Sequence, residues 1–74
     1  ALHPRPVLRR ALEVGATALV IVHNHPSGNP TPSDADCEAT RRLITAATSL
    51  DIRIHDHLVV AQGGTVSFRA AGLL

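Results

Sequence analysis

The spacing of apolar positions changes character along the chain, and each change marks an element. Val7, Leu8, Ala11 and Leu12 recur at helical spacing and predict a helix from Pro4 to Val14, with these four side chains on one face. A proline is tolerated in a first turn, and Gly15 follows the last periodic residue as a helix stop. Thr17 to His23 is a nearly continuous, β-branched apolar run, which predicts a strand buried on both faces. Asn24 to Pro32 is dense in turn formers, and its three prolines cannot supply ladder hydrogen bonds, so the strand gives way to a stiff loop. Ser33 then opens a second helix, with Asp36 at its third position in a capping-box arrangement. Thr40, Leu43, Ile44, Ala47 and Leu50 form that helix's inward stripe, and Asp51 ends it. Ile52 to Ala61 reads as a strand interrupted near Asp56. Gln62-Gly63-Gly64 makes a turn and Thr65 to Arg69 a short partner strand, together a hairpin. The apolar tail Ala70 to Leu74 must dock or fray.

Composition narrows what this pattern can build. Seventy-four residues make one domain at most, and a chain of about 60–70 residues buries only roughly 60% of its unfolded surface. Phe68 is the only aromatic residue, so the core is built from Val, Ile, Leu and Ala. Cys37 is the only cysteine, which excludes an internal disulfide and suits a reducing, cytoplasmic compartment. The net charge of +1, from seven arginines against six carboxylates, gives no basic field of the kind nucleic-acid binders use. Arg5, Arg9 and Arg10, and the Arg41–Arg42 pair, read as solvated helix faces, with phosphate contact as the alternative. The run Ala16 to Val22 is far too short to span a bilayer, which needs about 20 residues, and the start lacks the apolar region of a signal peptide. The abrupt Ala-Leu-His-Pro beginning, without an initiator Met, suggests a fragment.

Chemistry concentrates where the first strand ends. Side chains at i and i+2 of a strand point to the same side, so His23 and His25 converge while Asn24 faces away. Asp36 sits in the first turn of the second helix, where the helix N-terminus favours the ionised carboxylate that a metal requires. Two nitrogens and one oxygen form a three-ligand set, which leaves a fourth position for water as catalytic zinc sites do. Each residue alone has a plainer reading: His-x-His occurs by chance, Asp36 is a helix-start carboxylate, and Ser33 is an N-cap. Their joint spacing is what points to a site.

That spacing, His23-x-His25, seven residues, then Ser33-x-x-Asp36, matches the signature H-x-H-x7-S-x-x-D of JAMM (MPN+) metallohydrolases. The flanks His23-Asn24-His25-Pro26-Ser27-Gly28, Pro32-Ser33, Asp56-His57-Leu58 and Ser67-Phe68-Arg69 with Gly72-Leu73-Leu74 resemble the RadC-like members of that family across essentially the whole chain. The resemblance implies an α/β fold in which residues 1–74 form a partial MPN/JAB (cytidine deaminase-like) domain, a small mixed sheet flanked by helices. It implies that His23, His25 and Asp36 bind Zn2+, and that Ser33 hydrogen-bonds the oxyanion or the water on the metal. Zinc would lower the pKa of that water to about 7 and polarise a carbonyl. The implied reaction is hydrolysis of an amide or isopeptide bond in a peptide or protein substrate.

The family also uses a glutamate as general acid/base, on a strand preceding the first helix seen here. That position is not present in these residues. Glu13 ends the first helix, and Glu38 lies roughly 200° around the second helix from Asp36, so neither is expected to substitute. The chain as given is therefore expected to bind metal and hydrolyse nothing. With the family's first strands missing, the core is expected to be incomplete, with pairing of two copies or disorder as consequences.

The second His-x-His, at His55 and His57, reads as a structural pair or as a hydrogen-bonding pair behind the metal ligands, such as metal sites commonly need, and Asp56 and His57 fit the family; a second metal site is the lesser alternative. His3 reads as a surface residue, Cys37 as a small buried thiol and Gly28 as a turn-former. The competing reading is a non-catalytic DNA-repair or mobile-element accessory protein, any nucleic-acid contact lying in other parts of a longer parent. A third is a remnant with intact ligands and no activity.

Overall fold

In a computed structural model that describes residues 2–74, two helices and three strands follow one another as α1 (Pro4–Glu13), β1 (Ala18–Asn24), α2 (Asp34–Ser49), β2 (Arg53–Ala61) and β3 (Gly64–Ser67). The sheet is mixed, in the order β1-β2-β3, with β1 parallel to β2 and β2 antiparallel to β3. This is the small α/β architecture expected of a JAB-like domain. Among the described residues no helix is long and apolar enough to cross a membrane.

One hydrophobic cluster joins the helices to the sheet. Leu8 and Ala11 of α1 meet Leu43 and Ala47 of α2 over Ile52 and Ile54, with Leu19 and Ile21 of β1 packed against them. Two expected members are absent. Leu12 is exposed, because it lies on the margin of the α1 stripe, roughly 70° from the line midway between Leu8 and Ala11. Leu50 is also exposed, because α2 stops at Ser49 and Leu50 is its C-cap, outside the helical stripe. Asp51 follows in a left-handed conformation (φ 57°), a role more often given to glycine but tolerated by aspartate.

The expectation that the first strand is buried on both faces is not met. Burial along β1 alternates: Leu19, Ile21 and His23 turn toward the helices, while Val20 is 52% and Val22 65% exposed. β1 is an edge strand here, and among the described residues no second layer covers the other face of the sheet. The apolar run does form a strand, but sequence continuity alone does not say how many layers are present.

The interruption near Asp56 is a β-bulge. Leu19 pairs with Ile54 and Val20 with Asp56, so His55 is the extra residue. The bulge resets the side-chain alternation, so that Ile54, His57 and Val59 are all buried on the helix side. Without it, His57 would face away from α2. On the opposite side Asp56 organises the chain's end. Its carboxylate accepts from the backbone N–H of His57 (2.7 Å) and Arg69 (3.0 Å) and from the Ser67 hydroxyl (2.6 Å), and the Arg69 side chain donates to the His55 carbonyl (2.6 Å). The tail stays exposed and is ordered by local turns, with Leu73 N–H donating to the Phe68 carbonyl at 2.8 Å.

The Ser67 hydrogen bond, with help from Arg69 and His57, outweighs partial burial and holds the Asp56 pKa below the usual 3.8. The ionised form is thus favoured by folding. Its stabilisation is present above about pH 3.8 and is lost as pH falls through the lowered value of the folded chain. Asp56→Asn removes the charge and turns one of the two acceptor oxygens into a donor, so the three donors can no longer all be satisfied as they are, and it is expected to cost about 1–3 kcal/mol near neutrality. Urea unfolding should show that gap between variant and wild type closing in acid. A gap unchanged from about pH 7 to about pH 2 would contradict this role for the carboxylate.

Candidate metal centre

His23 lies on the helix-facing side of β1 near its end, and His25 follows just beyond, its backbone N–H donating to the Val60 carbonyl of β2 at 3.0 Å. The loop then turns over itself. Asn29 N–H donates to the Ser27 hydroxyl, Thr31 N–H donates to the Asn29 side chain at 3.0 Å, and Gly28 adopts φ 88°, where a side chain would be strained. A second clamp comes from the hairpin turn: Gly63 N–H donates to the Gly28 carbonyl at 2.9 Å, and a Cβ on Gly63 would lie 2.6 Å from that same oxygen. Gly63→Ala is therefore expected to displace the loop bearing His25. It should destabilise the chain and weaken metal binding together, which paired urea and metal titrations would measure; unchanged values in both would refute the clamp.

The loop delivers the chain to α2, whose start is the capping box read from sequence. The Ser33 hydroxyl accepts from Asp36 N–H (3.0 Å), and the Asp36 carboxylate accepts from Ser33 N–H (2.8 Å). This fixes Asp36 through Oδ2, which also faces His25, while Oδ1 faces His23. His25 Nε2 lies 3.0 Å from Asp36 Oδ2, and His23 Nδ1 lies 3.6 Å from Asp36 Oδ1. Donor atoms of His23, His25 and Asp36 fall within 4.8 Å of one another, the sole such group of three among the described residues. The two N···O separations run to different oxygens of the one carboxylate, and each lies near the roughly 3.3 Å between neighbouring ligands on a tetrahedral centre with bonds of about 2.0–2.1 Å.

The chemistry of these atoms also fits a cation. His23 Nδ1 is buried and has no hydrogen-bond partner, although it faces a carboxylate. His25 Nδ1 lies 3.0 Å from the Asn29 carbonyl, which can only accept, so this nitrogen carries the proton and Nε2 presents a lone pair toward Asp36. Two acceptors facing each other at 3.0 Å repel unless a proton or a cation lies between them. Burial works against an ionised Asp36, but the Ser33 hydrogen bonds outweigh it, with help from His23 and His25 when those rings carry charge, and hold the carboxyl below the usual 3.8. The cluster is compatible with metal binding by two imidazoles and one carboxylate.

Of the other residues singled out from sequence, Ser33 stands at the rim, exposed, its hydroxyl oxygen used by the cap and its proton free to donate. Cys37 is half-buried rather than buried, because it sits on the flank of the first turn of α2. Glu13 is held by Arg9 and Arg10 on the surface of α1, and Glu38 by Arg41. Neither reaches the cluster. His55 is exposed at the bulge, whereas His57 is fully buried, so the second His-x-His assembles no second cluster. His3 is exposed before α1 and makes no side-chain cap.

The hydrogen-bonding role expected of the second His-x-His falls on His57, but its partners Thr40 and Phe68 carry no local signal in the sequence. The Thr40 hydroxyl donates to the Asp36 carbonyl (2.8 Å) and lies 2.8 Å from His57 Nδ1. The His57 ring stacks between His23 (centroids 5.7 Å apart, 18° between planes) and Phe68 (4.4 Å, 17°). Burial, with the nearby His23, pushes the His57 pKa below the usual 6.5. Only knowledge of the bulge would have turned His57 toward α2.

A mixed sheet with a His/His/Asp cluster at a strand tip and a helix start defines a JAB/MPN-type α/β domain. Comparison with known proteins gives the family: the model of the RadC-like JAB domain matches residues 1–73. The chain is 56% identical over 72 residues to a UPF0758 protein of Rhodobacter capsulatus, covering 97% of this chain and 34% of that protein. It is 50% identical over 72 residues to a UPF0758 protein of Ruegeria pomeroyi, covering 97% of this chain and 32% of that one. This chain belongs to the RadC-like JAB domain family. It spans about a third of the length of these relatives.

Proposed function

We propose that this domain is the zinc-binding part of a JAMM-type metallohydrolase centre, acting on an amide or isopeptide bond of a peptide or protein. The observation that carries the reading is the convergence of His23, His25 and an ionised Asp36 with one buried nitrogen left without a partner. Two nitrogens and one oxygen suit zinc better than calcium or magnesium, and three protein ligands are the mark of a catalytic rather than a structural zinc. Bound there, zinc would supply a Lewis acid and an acidified water.

The chain's own residues supply the rest. The Asn29 carbonyl orients His25 and fixes its tautomer; the capping box holds Asp36 ionised and in place. Ser33 offers its hydroxyl proton at the exposed rim, where a developing negative charge on a substrate carbonyl oxygen would be stabilised. General acid/base catalysis has no glutamate at this centre among the described residues, since Glu13 and Glu38 are both engaged with arginines elsewhere. We therefore expect one zinc per chain and no measurable peptidase turnover by these 74 residues alone. A lone, unpaired cysteine is compatible with a reducing, cytoplasmic setting.

Equilibrium dialysis tests the reading: wild type should retain one zinc, and His23→Ala should lose it. A wild type that retains none would remove the hydrolase reading. The rival role, a DNA-repair or mobile-element accessory, would show instead as DNA affinity falling steeply with salt. The charge of +1 gives no support for that in this segment.

A further inference from the structure

Resting on that reading, we infer that Thr40 and His57 are positioning residues that link the two ligand-bearing elements and set the orientation of His23 on the metal. The connection is continuous. The backbone carbonyl of one ligand, Asp36, accepts from the Thr40 hydroxyl; Thr40 lies 2.8 Å from His57 Nδ1; and the His57 ring lies nearly parallel to that of a second ligand, His23. Thr40 and His57 are 1% and 0% exposed, so no solvent competes for these bonds.

The donor directions follow from counting hydrogens. A hydroxyl has one proton, and the Asp36 carbonyl can only accept, so the Thr40 proton goes there. Thr40 Oγ1 must then accept from His57, which puts the imidazole hydrogen on Nδ1 and leaves Nε2 bare. Consistently, His57 Nε2 is buried with no partner, which an N–H could tolerate far less well than a lone pair in this apolar stack. His57 is thus a ring held in one tautomer and one plane, with Phe68 against its back at 4.4 Å and His23 on its front.

That plate matters because His23 Nδ1 is the atom that faces Asp36, and among the described residues no hydrogen bond from the other ring nitrogen holds the ring. His25 is aimed by the Asn29 carbonyl and Asp36 by the capping box, whereas among the described residues His23 is held by packing alone. Its contacts are edge-on to His25 (4.8 Å, 87°) and face-on to His57. Thr40 and His57 thus serve His23 as hydrogen-bonding outer partners serve other metal-ligating histidines, and loss of such a partner lowers metal affinity about 10–100-fold.

The test compares wild type, Thr40→Val, Thr40→Ser and His57→Phe. Zinc affinity would be measured by chelator competition, the Co2+ absorption spectrum recorded, and unfolding of the metal-free chains followed in urea. Thr40→Val keeps the shape and removes the hydroxyl. It should weaken zinc about 10-fold or more and change the Co2+ band shape, with Thr40→Ser restoring both. His57→Phe keeps a stacked ring but breaks the link, and should fall between. Independently of any variant, the 15N shifts of the wild-type His57 ring should show the Nδ1–H tautomer. Wild-type zinc affinity and spectrum in folded Thr40→Val, or an Nε2–H tautomer, would overturn the inference while leaving the metal centre intact. A wild type that binds no metal would overturn both.

Discussion

Zinc is expected to raise the unfolding temperature of the wild-type chain by roughly 10–20 °C when free zinc is about 100 times its Kd, and His25→Ala is expected to abolish that increment. The figure follows from linkage. A ligand that binds only the folded state at about 100 Kd stabilises by about 2.7 kcal/mol, and one kcal/mol shifts a domain of 60–100 residues by about 4–8 °C. His25 is the better ligand to remove, because Asp36→Ala would also break the capping box at Ser33, at a further cost of ~1 kcal/mol in the metal-free chain. The zinc-dependent increment, rather than the melting temperature itself, therefore reports the site. It should shrink in acid, since metal binding requires deprotonated ligands and releases protons. An increment that His25→Ala leaves intact would mean that zinc binds elsewhere.

Phe68→Ala is expected to unfold the domain or bring it to the edge of unfolding. Phe68 is fully buried at the foot of β3, and truncating such a side chain costs about 3–5 kcal/mol. At about 0.05–0.15 kcal/mol per residue, 74 residues hold roughly 4–11 kcal/mol in all. As the chain's only aromatic, Phe68 also backs the His57 ring, so folded molecules should bind zinc more weakly. Circular dichroism in urea would measure the first effect. A loss below ~1 kcal/mol would show that the site collapses around the gap and that Phe68 is not central to the core.

What could be read from the sequence was mostly local. The Ser33–Asp36 capping box depends on residues three apart, and both of its hydrogen bonds are present. The loop from Asn24 to Pro32 was legible because proline and glycine restrict the backbone wherever they sit, and the hairpin because Gly63-Gly64 supplies its turn. Non-local facts were not legible. Val20 and Val22 look like core residues in a run of β-branched neighbours; their exposure depends on layers that no local pattern records. Leu50 fits the helical stripe until the helix ends one residue earlier. The bulge at His55 matters most for the site. It shifts one residue of register between β1 and β2, and that shift decides whether His57 stacks behind His23 or faces the far side. The roles of Asp56 as the acceptor that gathers the chain's end, and of Thr40 as more than a stripe residue, likewise appear only when distant segments are brought together.

The most direct measurement is zinc K-edge X-ray absorption on the zinc-loaded wild-type chain. The account predicts two imidazoles and oxygen ligands at about 2.0–2.1 Å, with no sulfur, as expected when His23, His25 and Asp36 share the ion with water. A sulfur shell near 2.3 Å, which only Cys37 could provide in this chain, or a coordination sphere lacking imidazole scattering, would contradict it.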